Sequence, residues 1–218
     1  MRIAIVTGGS IEDLSWLKAQ LSRYDLLLAV DRGLEATEVL GLAPDLIIGD
    51  FDSYRGDQAI ETRYPEAQIL TFPSVKDWTD TELALQKAIE LCGSSEGEAV
   101  IDLYGAFGNR LDHTFANLML LGSLEQKSPR IRALDPENEV ERLFPGTYSV
   151  KRKEGFNVSV LSLDESATVS LRGFEYDGEK LILLRTGTMG VSNRLKESEG
   201  ILTIHSGKVF LMQCRDRA

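Results

Sequence analysis

The sequence predicts an α/β fold: an N-terminal, mostly parallel sheet with helices on both faces, followed by a C-terminal antiparallel β-sandwich-like domain. Three observations carry that prediction. Short, continuous apolar runs alternate with helical segments from Met1 to about Leu134, as in strands covered on both faces by crossover helices. After about Pro136 the helical segments stop, and short strand-like runs follow one another across Gly- and Asp-containing turns. Residues 135–147 between the two textures contain Pro136, Pro145 and Gly146, which divides the chain into domains 1–135 and 136–218.

Taken in order, the N-terminal strands are Ile3–Thr7, Leu26–Val30, Leu46–Ile48, Ile69–Phe72, Val100–Tyr104 and Ile131–Leu134. Ser10 with Asp13 forms a capping-box-like helix start, Thr79 with Glu82 forms another, and Gly93 closes the helix that Thr79 opens. Leu85, Ala88, Ile89 and Cys92 give that helix one apolar face toward the sheet. Leu111, Phe115, Leu118, Met119 and Gly122 give the helix after "GNR" the same kind of face. In the C-terminal part the strands are Asn157–Leu163, Thr168–Arg172, Lys180–Arg185, Ile201–His205 and Val209–Gln213. The run "GILTIHSGKVFLMQ" predicts a hairpin with Ser206-Gly207 as its two-residue turn.

Composition excludes several function classes. Among 218 residues, 34 acidic against 24 basic side chains give a net charge of -10. That balance disfavours nucleic acid and anionic membranes as partners. Lys151-Arg152-Lys153 is the only basic run and reads as a solvated turn. No stretch approaches the roughly 20 apolar residues of a membrane span, so the chain reads as cytoplasmic. Cys92 and Cys214 are far apart, lack ligand spacing and read as reduced core residues.

In open parallel sheets ligands bind beyond the carboxyl ends of the strands, so the residues just after each strand matter most. Here they are mostly acidic: Asp31 in "AVDRG", Asp50 and Asp52 in "GDFDS", Asp77 and Asp80 in "KDWTDTE". Carboxylates that close repel unless a cation holds them, and Mg²⁺ prefers carboxylates together with phosphate oxygens. A lone D-x-D after a strand also serves as turn or cap. With Asp31 and Asp77 in equivalent positions the binding-site reading moves ahead. Thr79, Glu82 and Asp80 have a structural use as cap and dipole partners, which leaves Asp77 for chemistry. Lys76 either neutralises a phosphate or is simply exposed, and its type favours the second.

A third place is "GAFGNRLDHTFAN". Gly105 and Gly108 bracket a tight loop between a strand and a helix, where free N–H groups and the positive helix end suit a phosphate. No Walker or dinucleotide-binding glycine pattern is present. Arg110, His113 and Asn117 share a helix face, although a single histidine there is more often structural.

"DRG", "GDFDS", "KDWTDTELAL", "GNRLDHTFANLMLL" and "GVSNR", in that order and followed by the closing strand pair, resemble the thiamin pyrophosphokinase family over nearly the whole chain. The resemblance implies an ATP- and Mg²⁺-binding catalytic α/β domain and a β domain that contributes to the thiamin site. It also implies a homodimer with shared sites, and transfer of pyrophosphate from ATP to the thiamin hydroxyethyl oxygen with AMP as the other product. Carried over, Asp50, Asp52 and Asp77 hold the metal and triphosphate, with Asp31 and Asp112 nearby. Arg110 stabilises phosphate charge, and Lys76, Gly105, Gly108, Asn109, His113 and Asn117 line the nucleotide side. Ser192 and Asn193 reach thiamin. Trp78 is available to stack on a flat cation, or packs as plain filler. One departure is Gly108-Asn109 where the family usually has Gly-Gly, tolerable because Asn accepts left-handed backbone angles. Phosphoryl chemistry of this kind needs positioning and charge neutralisation more than a covalent catalyst. Asp50, Asp77 and Asp80 all remain open as general base.

Three rivals stay in view. A 6-hydroxymethylpterin pyrophosphokinase shares the acidic-loop style but not "GVSN". A dehalogenase-type phosphatase would carry its D-x-D on the first strand, and here two strands precede it. A nucleotide- or thiamin-sensing module would bind without turnover.

Overall fold

A computed structural model of the chain describes residues 1–50, 59–73, 77–93, 99–125 and 129–216. Two compact units divide it, Met1–Pro136 and Glu137–Ala218. In the first, β1 (Arg2–Val6), β2 (Leu26–Val30), β3 (Leu46–Gly49), β4 (Gln68–Thr71), β5 (Val100–Tyr104) and β6 (Arg130–Leu134) pair in parallel in the order β4-β3-β2-β1-β5-β6. Successive residues Ile3, Ala4, Ile5 and Val6 all have no exposed surface, so both faces of β1 are covered. The predicted strands therefore appear within a residue or two of their expected ends.

The helices follow from caps and stripes. α1 (Leu14–Leu21) starts at Asp13, whose carboxylate accepts from the Trp16 N–H at 2.8 Å; the capping-box start expected at Ser10 is displaced by three residues. Asp13 wins because a carboxylate is a strong N-cap acceptor. α2 (Gly33–Val39) and the single turn α3 (Ile60–Arg63) are short. α4 (Asp80–Cys92) begins at Thr79, whose hydroxyl accepts from the Glu82 N–H, and ends at Gly93 with φ 57°. Its Ala84, Leu85, Ala88 and Cys92 are buried as the periodicity requires. α5 (Leu111–Ser123) departs from expectation: Leu111, Phe115 and Met119, read as core, are 80%, 63% and 60% exposed, and Leu121 is buried instead. The helix is rotated so that its most apolar stripe faces outward. No described residue covers that stripe.

One polar cluster interrupts the apolar strands. Asp102, in the middle of β5 and fully buried, accepts from Arg132 Nε at 2.7 Å and Nη2 at 2.6 Å, and from the Tyr24 hydroxyl. The Tyr24 and Tyr104 hydroxyls are 2.6 Å apart. Burial, reinforced by the Asp102 charge, pushes the Tyr24 phenol up to about 12, and burial raises Tyr104 further. Trp16 packs edge-on against Tyr104 with ring centroids 5.7 Å apart.

The second unit contains two antiparallel sheets. β7 (Asn138–Leu143), β13 (Val209–Cys214) and β9 (Asn157–Ser162) form one, in the order β7-β13-β9. β11 (Gly178–Leu184), β10 (Ser166–Arg172), β12 (Glu199–Ser206) and β8 (Gly146–Lys151) form the other, in that order. Val158, Val160, Val169, Leu171, Leu202, Ile204 and Val209 come from both sheets and meet in one core with Phe174, a sandwich. β7 and β8 fall where the sequence suggested a boundary, because β7 carries Glu139, Glu141 and Arg142 and reads as polar linker. The expected hairpin is also corrected. β12 pairs with β10 and β8, whereas β13 pairs with β7 and β9, so the Ser206-Gly207 turn passes the chain between sheets. Gly207 has φ 77°, and a Cβ there would lie 2.6 Å from the Ser166 carbonyl oxygen. Among the described residues, no helix is long and apolar enough to cross a membrane. Cys92 and Cys214 form no disulfide, and burial pushes the Cys92 thiol up.

Candidate active site

The carboxyl ends of β1, β2, β3 and β5 open onto loops that carry most of the chemistry-bearing residues. The β1 and β5 loops touch through their backbones. A Cβ on Gly9 would fall 1.9 Å from the Gly105 carbonyl oxygen, and Gly105 itself has φ 74° with its Cβ position 2.7 Å from the Thr7 carbonyl oxygen. Only glycine permits that approach, which brings backbone amides of two loops to one sheet edge. The buried Thr7 hydroxyl donates to the Tyr104 carbonyl at 3.1 Å and ties the ends of the two strands together. Sequence reasoning passed over Thr7, Gly8 and Gly9; a strand followed directly by Gly-Gly was the available signal.

Asp31 follows β2 with φ 48°, its N–H donating to the Ile48 carbonyl of β3 at 2.9 Å, and is exposed. Asp50 follows β3 and is half-buried. Asp77 and Trp78 are exposed just before α4, Trp78 at 53%, and Asp80 is half-buried as its first residue. Asp52 and Lys76 lie outside the described residues. Arg32, beside Asp31, was not singled out by sequence; its Cβ stands 3.4 Å from where a Cβ on Gly8 would be, and its guanidinium pairs with Glu35 at 3.5 Å.

The β5–α5 loop holds Gly105, Gly108 and Asn109. Its shape is fixed by Asn117, whose Nδ2 donates to the Ala106 carbonyl at 3.0 Å from nearly two turns into α5. Asn109 does not take left-handed angles; positive φ in the loop belongs to Gly105. The departure from Gly-Gly therefore imposes no backbone strain. Arg110 is the N-cap of α5 and makes no side-chain cap bond. It pairs instead with Asp112, Nε to Oδ1 at 3.2 Å and Nη2 to Oδ2 at 2.6 Å, and holds that carboxyl down to about 2. His113 is exposed on the same first turn. The first turn of α5 thus presents an uncapped helix end beside a cation, an arrangement suited to an anion.

In the β unit, Ser192 and Asn193 divide their labour. The buried Asn193 side chain accepts from the N–H groups of Tyr176 at 3.0 Å and Arg194 at 2.8 Å, and donates to the Tyr176 carbonyl at 2.9 Å. Its backbone bridges Val158 in both directions. Asn193 is therefore occupied in holding the loop. Ser192 is exposed at φ 59°, with its N–H donating to Ser159 Oγ at 3.0 Å.

Among the described residues no three His, Cys, Asp or Glu side chains gather as a metal site. The donor types at the strand ends are nonetheless hard carboxylates from neighbouring loops, the set that suits Mg²⁺ rather than a softer metal.

Comparison with known proteins covers both units. The family described as thiamin pyrophosphokinase, catalytic domain, matches residues 17–133, and the vitamin B1 binding domain of thiamin pyrophosphokinase matches residues 147–209. The thiamine pyrophosphokinase of Bacillus subtilis (strain 168) is 26% identical over 216 residues, covering 98% of this chain and 99% of the relative. A crystal structure of the Bacillus subtilis thiamine pyrophosphokinase superposes with a TM-score of 0.86 at 28% identity, covering 100% of both chains. That of thiamin pyrophosphokinase from Geobacillus thermodenitrificans gives 0.81 at 28% identity, over 100% of this chain and 99% of the other.

Proposed function

The chain belongs to the thiamin pyrophosphokinase family, and from that premise we propose that it transfers the pyrophosphoryl group of ATP to the hydroxyethyl oxygen of thiamin, releasing AMP. The observation that supports this reading is the single sheet edge onto which β1, β2, β3 and β5 deliver Asp31, Asp50, the paired glycine loops and Arg110. In the reaction a bond forms from the thiamin hydroxyl oxygen to the β-phosphorus, and the bond from that phosphorus to the α,β-bridging oxygen breaks. The bridging oxygen leaves with AMP.

Asp50, Asp52 and Asp77 would hold Mg²⁺, which supplies charge neutralisation for the triphosphate and helps keep its α- and β-phosphates in line. Arg110 meets phosphate oxygens from the start of α5, with the loop amides around Gly105, Gly108 and Asn109 beside it. Asp112 orients that guanidinium, and Asn117 fixes the loop. Lys76, Asp31 and His113 would serve the nucleotide, and one of Asp50, Asp77 and Asp80 would take the hydroxyl proton. Trp78 is exposed enough to stack on a thiamin ring, and Ser192, held out by Asn193, reaches thiamin from the β domain. Sharing of sites between two copies would make the enzyme a homodimer. The outward stripe of Leu111, Phe115 and Met119 supports that assembly, because exposed apolar stripes of this kind mark interfaces. The cytoplasm, which supplies ATP, is its proposed location.

Purified protein incubated with ATP, Mg²⁺ and thiamin should give equal amounts of AMP and thiamin diphosphate on chromatography. Asp77→Asn should lower that rate by about 10²-fold or more while the fold is kept. ADP with thiamin monophosphate would overturn the transfer mode. Turnover of 6-hydroxymethylpterin in preference to thiamin would overturn the substrate.

A further inference from the structure

The basic run Lys151-Arg152-Lys153 finds no use in the site above; Lys151 and Arg152 are exposed, as expected of a solvated turn. Lys151 closes β8, while Arg152 and Lys153 turn onto a cavity of about 280 Å³ that lies wholly within the β unit. Phe156, Glu175, Arg194 and Gln213 complete its polar and aromatic lining, over an apolar floor of Val158 and Leu195. In a chain of net charge -10, three cations facing one cavity are a local reversal of sign.

The charges are not equally committed. Lys153 pairs with Glu139 and stands 5.5 Å from the Phe156 ring centroid. Arg194 uses Nε on Asn157 Oδ1 at 2.9 Å, which fixes its plane and leaves both Nη groups without a partner among the described residues. Arg152 makes no side-chain hydrogen bond or ion pair with any of them. Glu175 is the one carboxylate on the lining and falls short of balancing the two arginines. At the floor Gln213, 7% exposed, donates its Nε2 to the Lys151 carbonyl at 2.9 Å, and its Oε1 has no donor among the described residues. A ligand N–H or O–H in the cavity would give that oxygen a donor.

We propose that this cavity binds a small metabolite carrying an oxyanion, phosphate or carboxylate, next to a hydrogen-bond donor. The oxyanion lies between the Arg152 and Arg194 guanidinium groups, whose planar forks match two oxygens at once. The donor reaches Gln213 Oε1, and Phe156 forms the flat wall. The volume, close to the lower end of small-molecule sites at about 300 Å³, suits a ligand of a few tens of atoms at most and excludes a polymer. Its lining includes none of the residues assigned to nucleotide or thiamin, although Arg194 and Leu195 directly follow Asn193 and the Arg194 N–H donates to Asn193 Oδ1 at 2.8 Å.

The test follows backbone amide signals of ¹⁵N-labelled full-length protein during titration with inorganic phosphate, pyrophosphate and malonate. Saturable shifts of the Gly155, Phe156 and Leu195 amides are expected, with pyrophosphate or malonate half-saturating below about 1 mM. The tighter of the two names the oxyanion as phosphate or carboxylate. Arg152→Ser combined with Arg194→Ser should weaken binding at least about tenfold, and Arg152→Ser alone, which spares the Arg194–Asn157 bond, at least about threefold. Amide dispersion elsewhere in the spectrum reports that each variant is folded. The proposal is overturned if no probe shifts those three amides saturably, if shifts are confined to the loops around Gly9 and Gly105, or if the variants bind as the parent does.

Discussion

Helices α4 and α5 have the same length, 13 residues, and both carry an apolar stripe at helical spacing, yet they end up in opposite situations. α4 is capped at Thr79, buries Ala84, Leu85 and Ala88 completely, and closes at Gly93. α5 begins at Arg110 without a side-chain cap, buries Leu121, and turns Leu111, Phe115 and Met119 outward. The difference teaches that a stripe identifies what a helix can bury, while the cap identifies whether its N-terminus is already satisfied. α4 is a structural helix on both counts. α5 keeps an open end and an open face, and the proposed function uses both.

The contrast between closed and open positions can be pressed in order of expected effect. The largest effect should come from the most closed position of the unit, Asp102. Asp102→Ala removes the fully buried carboxylate that accepts from Arg132 and Tyr24, and should cost about 3–5 kcal/mol in urea unfolding followed by circular dichroism. The same cluster sets an alkaline limit. The Tyr24 phenol is raised to about 12, so the folded state keeps a proton that the unfolded chain loses from about pH 10. Stability should be flat below that pH and fall as pH rises toward 12, with Tyr24→Phe removing part of the fall.

Next, Leu85→Ala in α4 should cost about 3 kcal/mol by cavity formation, whereas Leu111→Ala in α5 should stay within about 0.5 kcal/mol. Equal losses would erase the comparison. Thr79→Ala should cost about 1 kcal/mol through the lost cap. Arg110→Ala should leave the unfolding midpoint unchanged but weaken ATP binding, read by calorimetry, at least about tenfold. Last and smallest in stability, Phe115→Ser should leave the fold intact while sedimentation at micromolar concentration detects a shift from dimer toward monomer. A monomeric parent would instead assign the stripe no role in self-association.

How much was legible in the sequence depended on where the information is stored. The six parallel strands were legible because continuous apolar runs have few alternatives, and Thr79 and Gly93 because caps are local chemistry. β7 was hidden because Glu141 and Arg142, though buried, are charged, and charge in a strand reads as linker. The Ser206-Gly207 turn was recognised as a turn but assigned the wrong partners, since a two-residue turn specifies a reversal and not which neighbours each strand takes. In the candidate site, Asp31, Asp50, Asp77 and Arg110 were singled out by their position after strands. Gly9 was missed because its importance lies in a contact with Gly105, 96 residues later in the chain.

The sequence by itself determined the α/β and β halves, the helix caps, the acidic strand ends and the motifs that place the chain in its family, because all of these reside in local patterns or in their order. Only the tertiary structure decided which way α5 faces, that Asn193 holds its loop while Ser192 stays free, that Asp102 sits buried between tyrosines and an arginine, and that a basic run lines a cavity. Those outcomes come from pairings between distant residues, where packing and charge compensation are settled by the whole fold and leave no trace in any single window of sequence.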